Sequence, residues 1–214
     1  MHKVDLLIFD LDGTLVDTRV DLANSVNYVL QSLGRRPQAL ETIIRNVGDG
    51  VRKLLERSLK DGQEAMMATA ITKFNVHYKE HLLDHSQLYP GVKDVLLHFA
   101  GKKLAVVSNK PKQFTHTILE GLGLGRRFSH IIGGDSLPTL KPSPEPLRHV
   151  MKKVGSNPQD TAMIGDSPSD ILAGRAAGTI TCAVTYGYRE RELLIKAGPD
   201  MLIDALPDLA HRLF

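Results

Sequence analysis

The chain has 214 residues, of which 42% are hydrophobic and 24% are charged, and its formal net charge is +3. This composition is typical of a folded globular protein and excludes a disordered or low-complexity chain. The 27 basic and 24 acidic residues are spread along the sequence without a basic tract, so we expect no nucleic-acid partner.

The first predicted element is a buried strand over residues 4–9, a short apolar run that ends abruptly at Asp10 and Asp12. The acidic residues interrupt the run too early for a secretory signal. No later run reaches the roughly 18 apolar residues of a membrane span. We therefore expect a cytoplasmic protein with no membrane partner.

The next stretch, residues 17–85, is predicted to form consecutive helices with no strand among them. Apolar residues recur at helical spacing over residues 22–33, 40–45, 51–59 and 64–83. Glycine-containing breaks lie at residues 48–50 and 61–62. We interpret residues 17–85 as a helical cap inserted into a core that comprises residues 1–16 and 86–214, with hinges near residues 15–20 and 84–90.

Beyond the cap, strands and helices alternate. The predicted strands cover residues 104–107, 131–132, 162–164 and 180–184, and the predicted helices cover residues 92–100, 114–122, 147–154 and 171–177. This alternation predicts an α/β fold with a doubly wound parallel sheet, which binds ligands at the carboxyl ends of its strands. The single cysteine, Cys182, lies in the last of these strands and is predicted to be buried and unreactive.

Two carboxylates follow the first strand, and their chemistry suits phosphoryl transfer. A carboxylate is ionised at neutral pH, so Asp10 could attack phosphorus without activation by a base. Asp12 would protonate the departing alkoxide and then take a proton from the water that hydrolyses phosphorylated Asp10. A calcium-binding loop is excluded, because Leu15 stands where that loop needs glycine.

Polar residues at two other strand ends could bind the phosphate. Ser108 and Asn109 could donate hydrogen bonds to phosphoryl oxygens. Lys141, in a proline-rich loop, offers a compact positive charge to the nucleophile and the phosphate.

An acidic pair follows the predicted strand at residues 162–164. Asp166 could hold Mg²⁺ together with Asp10, which would neutralise charge on the transferring group. Asp170 belongs to the same acidic cluster, although an aspartate in the first turn of a helix is also common for dipole reasons.

Four motifs in this order resemble those of the haloacid dehalogenase superfamily. They are Asp-Leu-Asp-Gly-Thr-Leu-Val-Asp-Thr at 10–18, Val-Val-Ser-Asn at 106–109, Lys-Pro at 141–142 and Gly-Asp-Ser-Pro-Ser-Asp at 165–170. The resemblance covers nearly the whole chain and is greatest to phosphatases of the phosphoglycolate phosphatase group, which carry a helical cap after the first strand. It implies a Rossmann-like core.

The resemblance also implies a ligand set for Mg²⁺. Asp10, the backbone carbonyl of Asp12 and Asp166 would hold the ion, and Asp170 would lie beside them as a ligand through water or as a partner of the ligands. Dehalogenases and phosphonatases of the superfamily lack an aspartate two residues after the nucleophile. The presence of Asp12 therefore favours hydrolysis of a phosphate ester or anhydride.

The resulting expectation is Mg²⁺-dependent hydrolysis of a small phosphomonoester, with 2-phosphoglycolate as the leading candidate, through a phosphorylated Asp10. Inorganic pyrophosphatase and a broader sugar phosphatase remain alternatives within the superfamily. A signalling receiver domain also pairs a phosphorylated aspartate with Lys and Ser, but it is about half this length and has no inserted cap. The expected partner is a small phosphorylated metabolite, and the protein is expected to be a monomer or a homodimer.

The cap loop at Gly48, Asp49 and Gly50 resembles the segment through which phosphoglycolate phosphatases meet their substrate. Glycine there would let the backbone approach a ligand closely. Arg45 and Arg52 flank the loop and are candidates for clamping a substrate carboxylate. The alternative is a pair of ordinary surface arginines joined by a flexible turn.

His77, His81 and His85 recur every four residues on the last predicted cap helix. One helix face therefore carries three imidazoles that could bind a transition metal. A partly exposed histidine row without a metal is the commoner outcome.

Overall fold

The computed structural model describes residues 2–59 and 64–214. In chain order, its strands and helices are β1 (Leu6–Phe9), β2 (Val16–Asp17), α1 (Arg19–Ser32), α2 (Leu40–Ile44), α3 (Val51–Leu59), α4 (Glu64–His81), β3 (Gln87–Leu88), α5 (Val92–His98), β4 (Lys103–Val107), α6 (Lys112–Gly121), β5 (His130–Ile132), α7 (Glu145–Val154), β6 (Thr161–Gly165), α8 (Pro168–Ala177), β7 (Ile180–Val184), α9 (Arg191–Ala197) and β8 (Met201–Ile203). The predicted break at residues 61–62 lies outside the described residues.

Six of the strands form a parallel sheet with the order β5-β4-β1-β6-β7-β8. Strand β1 is central, and its Leu6 is in register with Lys103 of β4 on one side and Thr161 of β6 on the other. The chain therefore winds outward from β1 in both directions, which confirms the predicted doubly wound α/β fold. Strand β8, which has three residues, was not predicted.

The central strand is buried on both faces of the sheet. Leu7 and Phe9 pack into the apolar cluster on one face, and Leu6 and Ile8 pack into the cluster on the other. A strand covered on both faces needs a continuous apolar sequence, which explains why this segment shows no alternation. Full burial of each such side chain contributes about 1.5–3 kcal/mol, so β1 is a rigid support for the residues that follow it.

Helices α1 to α4, which we call the cap helices, are inserted between β2 and β3. These two short strands form an antiparallel ribbon that pairs Val16 with Leu88 and Asp17 with Gln87. The ribbon was not predicted, because it pairs two segments that lie far apart in the sequence. In the described part of the chain, no helix combines the length and apolar character needed to cross a membrane.

Asp21, in the first turn of α1, fastens the cap helices to the segment that leads into β3. Its buried carboxylate accepts the backbone N–H groups of His85 (3.0 Å) and Ser86 (2.8 Å) and the Ser86 hydroxyl (2.7 Å). The Nδ1 atom of His85 lies 2.9 Å from the same carboxylate. One side chain thus satisfies several polar groups in the segment through which the chain leaves the cap helices and enters β3.

We predict that Asp21→Ala lowers the free energy of unfolding by about 3 kcal/mol, because it leaves the buried N–H of Ser86 without its charged acceptor. Urea unfolding followed by circular dichroism measures this difference. The control is Asp84→Ala, which removes an exposed carboxylate paired with His81 and should cost less than about 1 kcal/mol. Equal losses in the two variants would contradict the prediction.

Candidate active site

A cavity of about 50 Å³ lies between the carboxyl ends of the central strands and the cap helices. Its wall includes five of the predicted core residues and two glycines of the cap loop, namely Asp10, Asp12, Ser108, Asn109, Asp166, Gly48 and Gly50. The structure therefore brings the polar strand ends together, as parallel strands with a common direction require.

Strand β1 places Asp10 at the base of the cavity, where its backbone N–H donates to the carbonyl of Ile164 (2.9 Å). The Oδ1 atom lies 2.9 Å from the Lys141 ammonium, but it is buried and accepts no well-aligned hydrogen bond from the described residues. Burial raises the pKa of Asp10 to about 6, a rise that Lys141 opposes and that the negative charge of Asp170 increases. An under-coordinated buried carboxylate oxygen suits contact with a cation.

Three carboxylates converge beside this atom. Asp10, Asp166 and Asp170 each contribute an oxygen, and the three oxygens lie within 4.8 Å of one another. Burial raises the pKa of Asp166 well above its ordinary value, and the charges of Asp10 and Asp170 add to the effect. Carboxylate oxygens are the preferred ligands of Mg²⁺, and a divalent cation would offset this repulsion. The residues present therefore fit a magnesium site.

Asp170 contributes less to such a site than its two neighbours, because both of its oxygens already accept hydrogen bonds. Its Oδ1 accepts from the Lys141 ammonium (2.6 Å), and its Oδ2 accepts from the backbone N–H (3.1 Å) and the hydroxyl (2.6 Å) of Ser167. Asp170 thus holds Lys141 and caps the start of α8.

Lys141 is fully enclosed by protein oxygens. Its ammonium lies 2.6 Å from Asp170 Oδ1, 2.7 Å from the carbonyl of Val107 and 2.9 Å from Asp10 Oδ1. Burial alone would lower the pKa of Lys141, but the two carboxylates raise it. A charged Lys141 therefore holds the Asp10 carboxylate in position.

Asp12 is held through one of its two oxygens. Its Oδ1 accepts from the Thr18 hydroxyl (2.5 Å) and from the Lys110 ammonium (2.7 Å). Thr18 is fixed in turn, because its backbone N–H donates to the Tyr188 hydroxyl (2.8 Å). The Oδ2 atom has no hydrogen-bond donor among the described residues, so it is the oxygen available for proton transfer in the cavity.

Ser108 and Asn109 have different roles in the structure. The Ser108 hydroxyl accepts from the backbone N–H of Lys110 (3.3 Å), and its own proton has no acceptor within the described ranges. The side-chain amide of Asn109 donates both hydrogens, one to the carbonyl of Gly48 and one to that of Lys141, each at 2.9 Å. Ser108 can therefore donate to an anionic ligand, whereas the Asn109 side chain connects the Lys141 loop to the cap loop.

The two cap arginines lie outside the cavity that contains Asp10. Arg45 and Asp49 line a neighbouring cleft of about 690 Å³. Arg52 lies on α3, where its Nε donates to Glu56 (3.0 Å). The hypothesis that Arg45 and Arg52 clamp a substrate carboxylate stays a prediction, and these contacts lend it no support.

The prediction that His77, His81 and His85 share one helix face is wrong, because α4 ends at His81 and His85 lies beyond it. Each of the three imidazoles has a separate polar partner, which is Ser25 for His77, Asp84 for His81 and Asp21 for His85. Among the described residues, the metal-compatible group of side chains is the aspartate cluster and not this row.

Four further polar residues of the cavity wall were not identified from the motifs, namely Tyr78, Lys110, Tyr188 and Arg189. Lys110 directly follows the Ser108-Asn109 pair, so its place at a strand end was a usable signal. Tyr188 and Arg189 follow the polar end of β7, and the N–H of Tyr188 donates to Asp166 Oδ2 (2.6 Å). Tyr78 comes from α4, and no local pattern separates it from the other apolar residues of that helix.

Two glycines allow the backbone to close around Asp166. Gly13 has a φ of +83°, and a Cβ atom there would lie 2.2 Å from Asp166 Oδ2. At Gly187 a Cβ atom would lie 2.4 Å from the same oxygen. Any larger residue at either position would therefore displace this carboxylate.

Known proteins share this architecture. The family model described as haloacid dehalogenase-like hydrolase matches residues 7–184. Phosphoglycolate phosphatase of Chromobacterium violaceum is 40% identical over 216 residues, which cover 98% of this chain and 96% of that protein. Phosphoglycolate phosphatase 1 of Pseudomonas aeruginosa is also 40% identical, over 95% of this chain and 78% of its own length.

Solved structures agree with the sequence relatives. A crystal structure of a predicted phosphoglycolate phosphatase from Haemophilus somnus matches with a TM-score of 0.93 at 33% identity, covering 98% of this chain and 97% of that one. A predicted phosphatase from Clostridium acetobutylicum matches with a TM-score of 0.87 at 25% identity, covering 98% and 97%. Together with the aspartate cluster at the strand ends, these matches show that the chain belongs to the haloacid dehalogenase-like hydrolase family.

Proposed function

We propose that this protein is a Mg²⁺-dependent phosphatase that hydrolyses 2-phosphoglycolate. The observation that carries the proposal is the pair Asp10 and Asp12 in one small cavity, the first carboxylate facing the acidic cluster and the second held with one oxygen available. The relatives that bear the name phosphoglycolate phosphatase support the choice of substrate.

In the proposed reaction, a carboxylate oxygen of Asp10 attacks the phosphorus while the bond from phosphorus to the glycolate oxygen breaks. Asp12 gives a proton from Oδ2 to the departing oxygen, since Oδ1 is already occupied by Thr18 and Lys110. Asp12 then accepts a proton from the water that attacks phosphorylated Asp10. That second step releases inorganic phosphate, frees the Asp10 carboxylate and returns the proton to Asp12.

The remaining site residues bind or position these groups. Asp10, the backbone carbonyl of Asp12 and Asp166 would hold Mg²⁺, with Asp170 beside them. The bound ion would neutralise charge on the transferring phosphoryl group. Ser108 donates its hydroxyl to a phosphoryl oxygen, and Lys141 keeps Asp10 in line.

The cap helices would close the site during the reaction. We propose residues 17–85 as the cap domain and residues 1–16 with 86–214 as the core, with the β2–β3 ribbon as the hinge. In the closed form, Asn109 donates to the carbonyl of Gly48, which brings the cap loop against the strand ends. Closure excludes bulk water while phosphorus is transferred. We further propose that the protein acts in the cytoplasm, as a monomer or a homodimer.

The substrate is tested by a panel of phosphorylated metabolites assayed with Mg²⁺. We expect a kcat/KM for 2-phosphoglycolate at least about tenfold above those for pyrophosphate and for hexose phosphates, as specificity for a single substrate requires. A preference for pyrophosphate would favour the pyrophosphatase alternative. A flat profile would indicate a generalist and would contradict the proposal.

The roles of the two carboxylates are separated by Asp10→Asn and Asp12→Asn. We expect Asp10→Asn to lose at least about 10³-fold in kcat, and Asp12→Asn to lose about 10²–10⁴-fold, with 2-phosphoglycolate. Acetyl phosphate has a leaving group that needs no protonation, so Asp12→Asn should still become phosphorylated and should retain the phosphoryl group. Intact-mass measurement should show one added phosphoryl group on Asp12→Asn and none on Asp10→Asn. An Asp10→Asn variant with full activity would refute the mechanism.

The magnesium site predicts a pH-dependent stabilisation. The pKa of Asp10 is about 6 in the fold against 3.8 ordinarily, so the metal-free fold retains a proton that the unfolded chain releases. This contribution to stability is present below about pH 4 and is lost as the pH rises through about 6. Mg²⁺ competes with that proton, so it should raise Tm more near pH 7.5 than near pH 5.

Thermal unfolding with and without Mg²⁺ at the two pH values measures this effect. Asp166→Ala should lose the response to Mg²⁺, whereas Asp94→Ala, which removes an exposed carboxylate of α5, should keep it. A response of equal size at both pH values, or one that survives Asp166→Ala, would count against the site.

A further inference from the structure

Besides Lys141, the site contains another buried lysine, Lys110, which lies on the cavity wall. Two acceptors among the described residues bind its ammonium. The side chain is only 4% exposed, and Nζ donates to Asp12 Oδ1 (2.7 Å) and to the Tyr78 hydroxyl (2.7 Å). An ammonium has three hydrogens. Within the described part of the chain, the third N–H of Lys110 has no acceptor, whereas Lys141 has three close oxygen neighbours. Lys110 is therefore the lysine of this site that can donate a further hydrogen bond to an anionic ligand.

Apolar side chains surround Lys110 on the cavity wall, so its remaining N–H is a donor in a dry environment. The cavity wall on the cap side is largely apolar and includes Leu22, Leu54 and Phe74, with Phe114 from the core. A substrate carboxylate placed against such a wall would lose its hydration without compensation. It would be stable there only if a buried cation donated a hydrogen bond to it.

Arg189 is the other cation on the cavity wall, and two of its five N–H groups join it to the cap. Its two terminal nitrogens donate to the backbone carbonyls of Ile44 (3.2 Å) and Val47, both in the cap. Arg189 thus connects the loop after β7 to the cap helices. Arg45 lines the neighbouring cleft instead.

We propose that Lys110 determines specificity by binding the carboxylate of the substrate. This inference rests on the proposed function, since it requires a small phosphomonoester that also carries a carboxylate. With the phosphoryl group between Asp10 and Ser108, a short two-carbon chain would keep the carboxylate close to the same cavity wall, which includes Asp12 and Lys110. Lys110 would donate to that carboxylate, and the Tyr78 hydroxyl, which accepts from the ammonium, would hold the ammonium in place.

The test compares 2-phosphoglycolate with ethyl phosphate, which has the same two-carbon chain but no carboxylate. We expect Lys110→Gln to lower the ratio of the two kcat/KM values by about tenfold to hundredfold, the loss of one charge-assisted hydrogen bond in a dry site. Lys110→Arg keeps the charge and should retain more of the ratio than Lys110→Gln. Lys112→Gln removes an exposed lysine two residues away and serves as the matched control, with no change in the ratio.

The outcomes distinguish the proposed substrate from the proposed role of Lys110. If wild-type protein shows no preference for 2-phosphoglycolate over ethyl phosphate, the proposed substrate is wrong and the role of Lys110 is overturned with it. If wild-type protein has the preference and Lys110→Gln retains it, with equal losses of activity on both substrates, Lys110 acts only by positioning Asp12. That result overturns this inference alone.

A second variant covers the case in which Lys110→Gln does not fold, as judged by thermal unfolding. Tyr78→Phe keeps the aromatic ring, which stacks on Phe74, and removes the hydroxyl that holds the ammonium. We expect it to lower the same ratio by about threefold. An unchanged ratio in Tyr78→Phe would then overturn the inference.

Discussion

The burial of several carboxylates at one edge of the sheet is the constraint on which the rest of this structure depends. Asp10 and Asp12 follow β1, Asp166 follows β6, and Asp170 lies in the first turn of α8. Among the described residues, the lysine ammoniums that contact this group are those of Lys110 and Lys141. When all four are ionised, their charge exceeds that of Lys110, Lys141 and Arg189, and a divalent cation would offset the excess. Without a cation, burial raises the pKa values of Asp10 and Asp166, and repulsion from the neighbouring carboxylates raises them further. The continuous apolar sequence of β1 supplies the rigidity that keeps these like charges together.

The contacts that organise the core site also hold the cap. Asn109 joins the Lys141 loop to the carbonyl of Gly48, and Arg189 donates to cap carbonyls from the loop that also contacts Asp166. The Asn109 side chain therefore has one partner near the acidic cluster and another in the cap, and the loop of Tyr188 and Arg189 likewise contacts both. Because the partners are shared, the position of the cap and the arrangement of the cluster are expected to change together.

The sequence predicts the features that depend on local pattern. The strand at residues 6–9, the alternation after residue 90 and the polar strand ends follow from apolar runs and their boundaries, and they suffice to place Asp10, Ser108 and Asp166 at one edge. Contacts between distant segments could not be predicted in this way. The β2–β3 ribbon needs two residues from each end of the cap, and the bond between Thr18 and Tyr188 joins residues 170 positions apart. The arginines of the cap were chosen by residue type alone, which does not indicate the side of a helix that faces the cavity.

Lys110 connects the proposed acid–base residue, the cap helices and the proposed ligand through a single ammonium group. Its ammonium fixes Oδ1 of Asp12, contacts Tyr78 of α4 and retains one hydrogen for a ligand. Tyr78 reaches the ammonium only while the cap helices lie over the strand ends, so the geometry of Lys110 depends on closure. Asp12 depends on Lys110 in turn, which makes the orientation of the proposed acid–base group a consequence of cap position. A substrate whose carboxylate binds the remaining hydrogen would stabilise this same closed arrangement, so recognition and proton transfer would share one buried charge.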